Sequence, residues 1–392
     1  MGKMSTNVLV IGKSGVGKSS LLNYMFNKEI QKTGTGKPVT EKGIFPFDYS
    51  YDENFEICIY DTWGLEPDKA EEWKQLIEAE VEKHDKKNIK DWFNTIIFCL
   101  SANSDRVEDF EIQIIKSLIE MNNQILIAIT HCKTMDDQRG ENLKSQLVSL
   151  ARIKRNQVVL VSNVEKKLIG KSVKRFGRQE VFTVIIKNLW DSLKQKVPYN
   201  IKVQMSSSFQ SEKDTFHEKI SKQSLLFQRD KKLTAFEDEV NDEFKSILEQ
   251  ELENMNTRFV QAMIYYNALS MKYAEIALIN KETIISLPEM KYDALKEFKN
   301  DIEKQLQSIR DNVGDVFSLL SDDLTREWIK DFCLALKKYF SSSKEIKQSL
   351  NKTIDIYLEN AEKTMNQQIE KVREQLQEID VEQIGELMIQ ED

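Results

Sequence analysis

The chain has 392 residues, a length suited to two domains, with 40% hydrophobic and 31% charged residues and a net charge of −8. The acidic balance excludes a general attraction to nucleic acid or anionic lipid, so any such contact needs a local patch. Four dispersed cysteines and three histidines give neither a disulfide framework nor zinc-ligand spacing, no apolar run is long enough for a membrane span, and MGKMSTNVLVIG is too weakly apolar for a signal peptide, which together point to a cytoplasmic protein.

In chain order, a strand over Asn7–Ile11 runs directly into Gly12-Lys13-Ser14-Gly15-Val16-Gly17-Lys18-Ser19, and a helix over Lys18–Phe26 follows. This is a P-loop in its strand–loop–helix setting. The glycines let backbone N–H groups converge on a β-phosphate, and the helix N-terminus adds its dipole. Lys18 is expected to bridge the β- and γ-phosphates and the Ser19 hydroxyl to ligate Mg²⁺. The nucleotide-binding set on this side is Gly12, Ser14, Gly15, Val16, Gly17, Lys18, Ser19 and Ser20.

Thr33-Gly34-Thr35-Gly36-Lys37-Pro38-Val39-Thr40 is polar and has the character of a switch segment. One of its threonines is expected to complete the Mg²⁺ shell. Thr40, nearest the next strand, is the choice, ahead of Thr35 and Thr33. Strands over Ile44–Asp48 and Phe55–Tyr60 lead to Asp61-Thr62-Trp63-Gly64. There Asp61 is placed to hold Mg²⁺ through water, and Gly64 to offer its N–H to the γ-phosphate. The metal set is thus Ser19, Thr40 and Asp61, and the catalytic set Lys18, Thr40 and Gly64.

On the lines GKSGVGKSSLLN, GKPVT and DTWG, the segment up to residue 195 resembles a G domain of the Era/TrmE/septin-like GTPases, a group that includes dynamin-like and immunity-related members. The resemblance implies GTP and GDP as ligands, Mg²⁺ as cofactor, and hydrolysis of GTP. Leu65 stands where Ras-like enzymes carry the glutamine that orients water. An apolar residue is usual there in the group resembled, which implies a site completed by dimerisation or a partner, with slow intrinsic turnover. Gly15 replaces the asparagine of potassium-activated relatives, which argues against cation-activated hydrolysis of that kind. Arg106 and Lys37 are candidates to act across a dimer.

Further along, Lys69–Lys83 reads as an amphipathic helix that packs Trp73, Ile77 and Val81 on the sheet and moves with nucleotide state. A strand over Thr95–Leu100, a helix over Glu108–Met121 and a strand over Ile125–Thr130 follow. The base-reading motif N/TKxD falls on Thr130-His131-Cys132-Lys133, where Lys133 occupies the aspartate position and has no acceptor for guanine. Several readings stand. A bulge brings Asp136 or Asp137 to the base. Alternatively His131 packs on the base, as a Thr-His pair in Toc-like and septin-related GTPases suggests, while Glu165 reads it. His131 is equally readable as a plain loop residue, and ATP stands behind GTP as the alternative nucleotide. Ser162 and Asn163 form the candidate base loop after a strand over Val158–Ser162. Helices over Glu141–Leu150 and Val181–Lys194 complete an alternating pattern, which specifies a doubly wound, mostly parallel α/β sheet of the P-loop NTPase type.

The basic run Lys166, Lys167, Lys171, Lys174, Arg175 and Arg178 reads as a solvated loop, with contact to RNA or acidic lipid as the sharper alternative. Eleven of the 13 glycines lie before residue 180, and none lies between Gly177 and Gly314. The passage from Val197-Pro198 to Ser208 is the expected seam between a G domain at 1–198 and an elongated all-α bundle or stalk at 199–392. Apolar stripes at helical spacing run from Leu233 to Tyr266, Leu295 to Trp328 and Ile346 to Ile379, with turns expected at Pro288 and Ser341-Ser342-Ser343. Lys337-Lys338 beside Tyr339-Phe340 suits either a bundle edge or a membrane surface.

The reading is a GTP-binding switch and slow Mg²⁺-dependent GTPase, activated by nucleotide-dependent homodimerisation or by a protein partner of the helical half. The alternatives are a dynamin-like GTPase peripheral at a membrane and a nucleotide-binding scaffold that hardly hydrolyses. Nucleic acid is not an expected partner.

Overall fold

The computed structural model describes residues 4–26, 44–50, 55–163, 165–168, 171–222 and 343–377, with scattered positions between 246 and 264. Its centre is a six-stranded sheet in the order β2-β3-β1-β4-β5-β6. The strands are β1 (Met4–Gly12), β2 (Ile44–Ser50), β3 (Phe55–Thr62), β4 (Phe93–Ser101), β5 (Ile125–Thr130) and β6 (Val158–Leu160). All neighbours pair in parallel except β2, which runs antiparallel to β3 at the edge. β4 and β5 are buried along their whole length, as continuous apolar runs must be when helices cover both faces.

The helices α1 (Lys18–Phe26), α2 (Ala70–Asp85), α3 (Asp109–Glu120) and α4 (Gln138–Leu150) alternate with these strands. α2 buries Trp73, Ile77 and Val81, a one-face spacing of four that matches the amphipathic pattern of its sequence. This is the doubly wound P-loop NTPase architecture. β1 lies between β3 and β4, so the strand order reverses around it and leaves the crevice at its C-terminal end where ligands of such sheets bind.

Three departures from the sequence expectations are physical. The strand expected to reach Ser162 ends at Leu160, because Ser162 turns to exchange two backbone hydrogen bonds with Phe176, both 3.1 Å. The basic run expected as a loop folds in part into a two-stranded antiparallel ribbon, β7 (Lys166–Leu168) with β8 (Lys171–Val173). The helix expected at Val181–Lys194 continues as α5 (Arg178–Lys222) straight through the expected seam. Pro198 removes one intrahelical donor, yet Val197, Ile201, Met205, Phe209, Phe216 and Ile220 are buried at 0–3% exposure along the same helix. Burial of that apolar line, at about 25 cal/mol per Å², outweighs the local cost of the proline.

The described residues divide into two compact units, one holding those up to Val197 with a few at 261–264 and 376–377, the other holding Pro198–Lys222, the scattered positions up to Val260 and the helix α6 (Ser343–Gln377) up to Gln375. In the first unit the ammonium of Lys196, fully buried, lies 2.7 Å from both the Asp85 carboxylate and the Asn123 side-chain oxygen, tying α5 to α2 and to the turn before β5. In the second unit α5 and α6 meet through Lys213 and His217, at 3.3 Å and 2.8 Å from Asp355. Leu358, Met365 and Ile369 of the third apolar stripe are buried there. The other two stripes, Pro288 and the Lys337–Phe340 segment lie outside the described residues. Cys58, Cys99 and Cys132 are in no disulfide, and burial pushes the Cys58 and Cys99 thiols up to about 12. No helix among the described residues is long and apolar enough to cross a membrane.

Candidate functional site

The loop from Gly12 to Gly17 turns on three glycines with positive φ, 145°, 79° and 93° at Gly12, Gly15 and Gly17. A β-carbon on Gly12 would stand 2.5 Å from the Cys99 carbonyl oxygen of β4, so the close approach of two strands requires glycine there. Gly15 and Ser14 are exposed, and nothing lies within 4 Å of where a Gly15 side chain would start. The loop therefore presents backbone to open space ahead of α1. The first helical bond, from Leu21 N–H to the Gly17 carbonyl, is 2.8 Å.

Lys18 folds back over this loop. Its ammonium donates to the carbonyls of Gly12 (2.9 Å) and Lys13 (3.1 Å) and is 7% exposed. Burial lowers its pKa, opposed by the charge of Asp61. Asp61, at the end of β3, is fully buried, and neither carboxylate oxygen has a hydrogen-bond partner among the described residues. Desolvation raises it to about 6, against the pull of the Lys18 charge and the nearby Thr62 backbone N–H. A dehydrated carboxylate without a well-formed hydrogen bond is an unusual state, costly unless a cation completes it. Together with the half-buried Ser19 hydroxyl at the start of α1, it is a donor set that fits a hard divalent cation such as Mg²⁺. The neighbouring Thr62 hydroxyl donates to the Val10 carbonyl at 2.9 Å and locks β3 to β1.

The segment after Asp61 lies on the P-loop itself. Leu65 N–H donates to the Gly12 carbonyl (3.1 Å) and its carbonyl accepts from Ser14 N–H (3.2 Å). A β-carbon on Gly64 would come within 2.7 Å of Ser14 backbone nitrogen and 2.5 Å of its Cα, so only glycine fits. Leu65 is 1% exposed and its side chain belongs to the core. It is therefore unavailable to orient water. Thr40, with Lys37, Thr35 and Thr33, lies outside the described residues.

Thr130 and His131 close over the rear of the P-loop. The Thr130 hydroxyl sits against the carbonyls of Val16 and Leu100, the latter at 3.0 Å. His131 has φ 60°, a left-handed conformation rare for a residue with a β-carbon. Its Nδ1 lies 3.0 Å from the Thr130 hydroxyl and 3.2 Å from that of Ser101. The ring edge falls 3.0 Å from where a Gly17 side chain would begin. Asp137 is committed elsewhere. Its carboxylate accepts from the backbone N–H of Lys133 (2.8 Å), Arg139 (3.0 Å) and Gly140 (3.1 Å) as the N-cap of α4. Burial would raise its pKa, but those amides hold it below the usual range. Lys133, Asp136 and Glu165 are exposed, Asn163 is half-buried and Ser162 is buried. Arg106 is exposed and lies 3.7 Å from Glu108.

The structure brings together Gly12 to Ser19, Asp61, Gly64, Thr130 and His131. Sequence reading gave no role to the Thr130 hydroxyl or the Lys13 side chain, whose contacts lie with Val16 and Leu100 and with α3, distant in the chain. The strand, loop and helix with Asp61 on the adjacent strand define a P-loop nucleotide-binding fold. Residues 7–131, less than half of the chain, match the sequence profile of the family described as 50S ribosome-binding GTPase. The first unit thus has a P-loop NTPase-type fold, and its residues 7–131 are similar to that GTPase family. No curated protein matches the chain. Among solved structures, Toc33 from Arabidopsis thaliana with Mg²⁺ and GMPPNP is 18% identical, over 41% of this chain and 72% of that one, at a TM-score of 0.32. A structure of the chloroplast translocon components atToc33 and psToc159 is 17% identical, over 48% and 84%, at 0.36. The G domain of the T. maritima FeoB iron transporter is 17% identical, over 47% and 98%, at 0.31. Likenesses this distant assign no function to the chain.

Proposed function

We propose that the chain is a guanine-nucleotide switch and slow Mg²⁺-dependent GTPase. The observation that carries this is the pairing of a P-loop, with Lys18 folded onto its carbonyls, and a buried Asp61 whose two oxygens have no hydrogen-bond partner among the described residues. Lys18 would move from the Gly12 and Lys13 carbonyls towards the β- and γ-phosphates, and Ser19 with Asp61 would hold Mg²⁺ there. The ion supplies charge neutralisation of the transferring phosphoryl group. Thr40 would complete the shell from the first switch. Gly64 would offer its N–H to the γ-phosphate once the bond between Leu65 and the P-loop yields. Guanine is read by His131 and the Ser162–Asn163 loop, with Asp136 or Glu165 as the acceptor that Lys133 lacks.

Leu65 has no polar side-chain atom and is buried, so the position directly after Gly64 supplies no group to orient water. Turnover by the single chain is therefore slow. A second copy or a protein partner completes the site, and the helices after Val197 carry the output. The same burial favours a second reading, a nucleotide-binding scaffold with little hydrolysis.

Calorimetric titration with GDP, GTPγS, ADP and ATPγS in Mg²⁺, using Lys18→Ala as control, tests the first part. Guanine-selective binding lost in the variant is expected, and adenine-selective binding would overturn the guanine assignment. Phosphate release per chain should rise with protein concentration. A rate that is fast and independent of concentration would sink the partner-activated switch, and no release at any concentration leaves the scaffold.

A further inference from the structure

Lys13, the second residue of the P-loop, does not reach towards the open space above the loop. Its ammonium turns to α3, 3.2 Å from Glu111 and 5.1 Å from the centre of the Phe110 ring. Glu111 is 1% exposed, a rare place for a carboxylate. Its second oxygen accepts from Glu108 N–H at 2.9 Å and completes the capping box of α3. The start of α3 favours a carboxylate at this position through its amide and dipole, and the ammonium of Lys13 supplies the opposite charge beside it. Burial raises the Glu111 pKa, and the Glu108 amide and Lys13 oppose it.

Two further tasks fall on the backbone of the same lysine. Its carbonyl accepts one of the hydrogen bonds that hold Lys18, and it forms the bridge to Leu65. We propose that Glu111 is a positioning residue of the phosphate site. Through its ion pair with Lys13 it fixes the first turn of the P-loop, and with it the carbonyls that hold the Lys18 ammonium and the register of Leu65. This rests on the nucleotide-binding reading above and adds to it a strut from the end of α3 to the phosphate cradle. The strut matters for groups that contact the first turn, the β- and γ-phosphates, and not for the α-phosphate or the base.

The test uses the full chain with Mg²⁺ and calorimetric titration of GTPγS, GDP and GMP. The main variant is Lys13→Met with Glu111→Gln, which leaves neither an orphaned carboxylate nor a stray cation near the phosphates. Its affinity for GTPγS and GDP should fall by about tenfold, with GMP unchanged and melting temperature near wild type. Lys13→Arg, which keeps the charge of the pair, should retain most of the GTPγS and GDP affinity that the double variant loses. Glu111→Asp, which keeps the charge but shortens the reach, should show the same selective loss to a smaller degree, and it carries the test if the double variant fails to fold. Unchanged affinity in both the double and Glu111→Asp variants overturns the inference. An equal loss for all three nucleotides also overturns it, since that marks general softening of the fold. No binding by wild type overturns the nucleotide reading itself.

Discussion

Asp61 has an ordinary pKa near 3.8 and is raised to about 6 in the fold, chiefly by desolvation. A carboxylate raised in this way binds a proton more readily folded than unfolded. Its ionised form therefore subtracts stability, by nothing below pH 4, by a growing amount between 4 and 6, and by on the order of 3 kcal/mol above that range. In metal-free buffer Asp61→Asn should raise the melting temperature at pH 7.5 and leave it unchanged at pH 3.5. Added Mg²⁺ with GDP should stabilise wild type at pH 7.5 and the variant much less. A variant less stable than wild type without metal would mean that Asp61 has a partner. The phosphate side of the site was legible in the sequence because its residues follow one another at fixed spacing, Gly12 to Ser19 and Asp61 to Gly64. The base side was not. Asp137 can be read as a base acceptor or as a helix N-cap, and only the three amides converging on it decide. Reading it as the cap would also have started α4 at Gln138 rather than Glu141.

Among the elements, β4 and β5 announce themselves as unbroken apolar runs, and α2 by its four-residue spacing of Trp73, Ile77 and Val81. The ribbon of β7 and β8 does not. Its three-residue strands are too short for alternation to emerge, and lysines dominate them. The helix expected at Val181–Lys194 stopped short of α5 for a different reason. Proline followed by serines reads locally as the end of a helix, and local chemistry cannot register the buried line along α5 past Pro198. If that burial is what overrides the proline, Pro198→Ala should restore one backbone hydrogen bond and stabilise the chain by about 1–3 kcal/mol. Thermal melting monitored by circular dichroism measures it. A variant of equal or lower stability would mean that the ring packs favourably or that the helix is already relieved at this point.

For the molecule as a whole, α5 belongs partly to each compact unit, its first turns to the one that holds the P-loop and its last turns to the one that holds α6. Separate domains joined by a flexible linker melt as separate events. A helix shared without a break is different, since unwinding either half exposes the end of the other and interrupts its hydrogen bonds. The two units are thus expected to unfold as one cooperative transition. GDP with Mg²⁺, bound only in the first unit, should then delay loss of helix in the second by the same interval in urea. Two resolved transitions, only one of them shifted by nucleotide, would refute this. If the transitions coincide, ligand occupancy at Lys18 is felt as folding stability in helices that have no phosphate contact of their own.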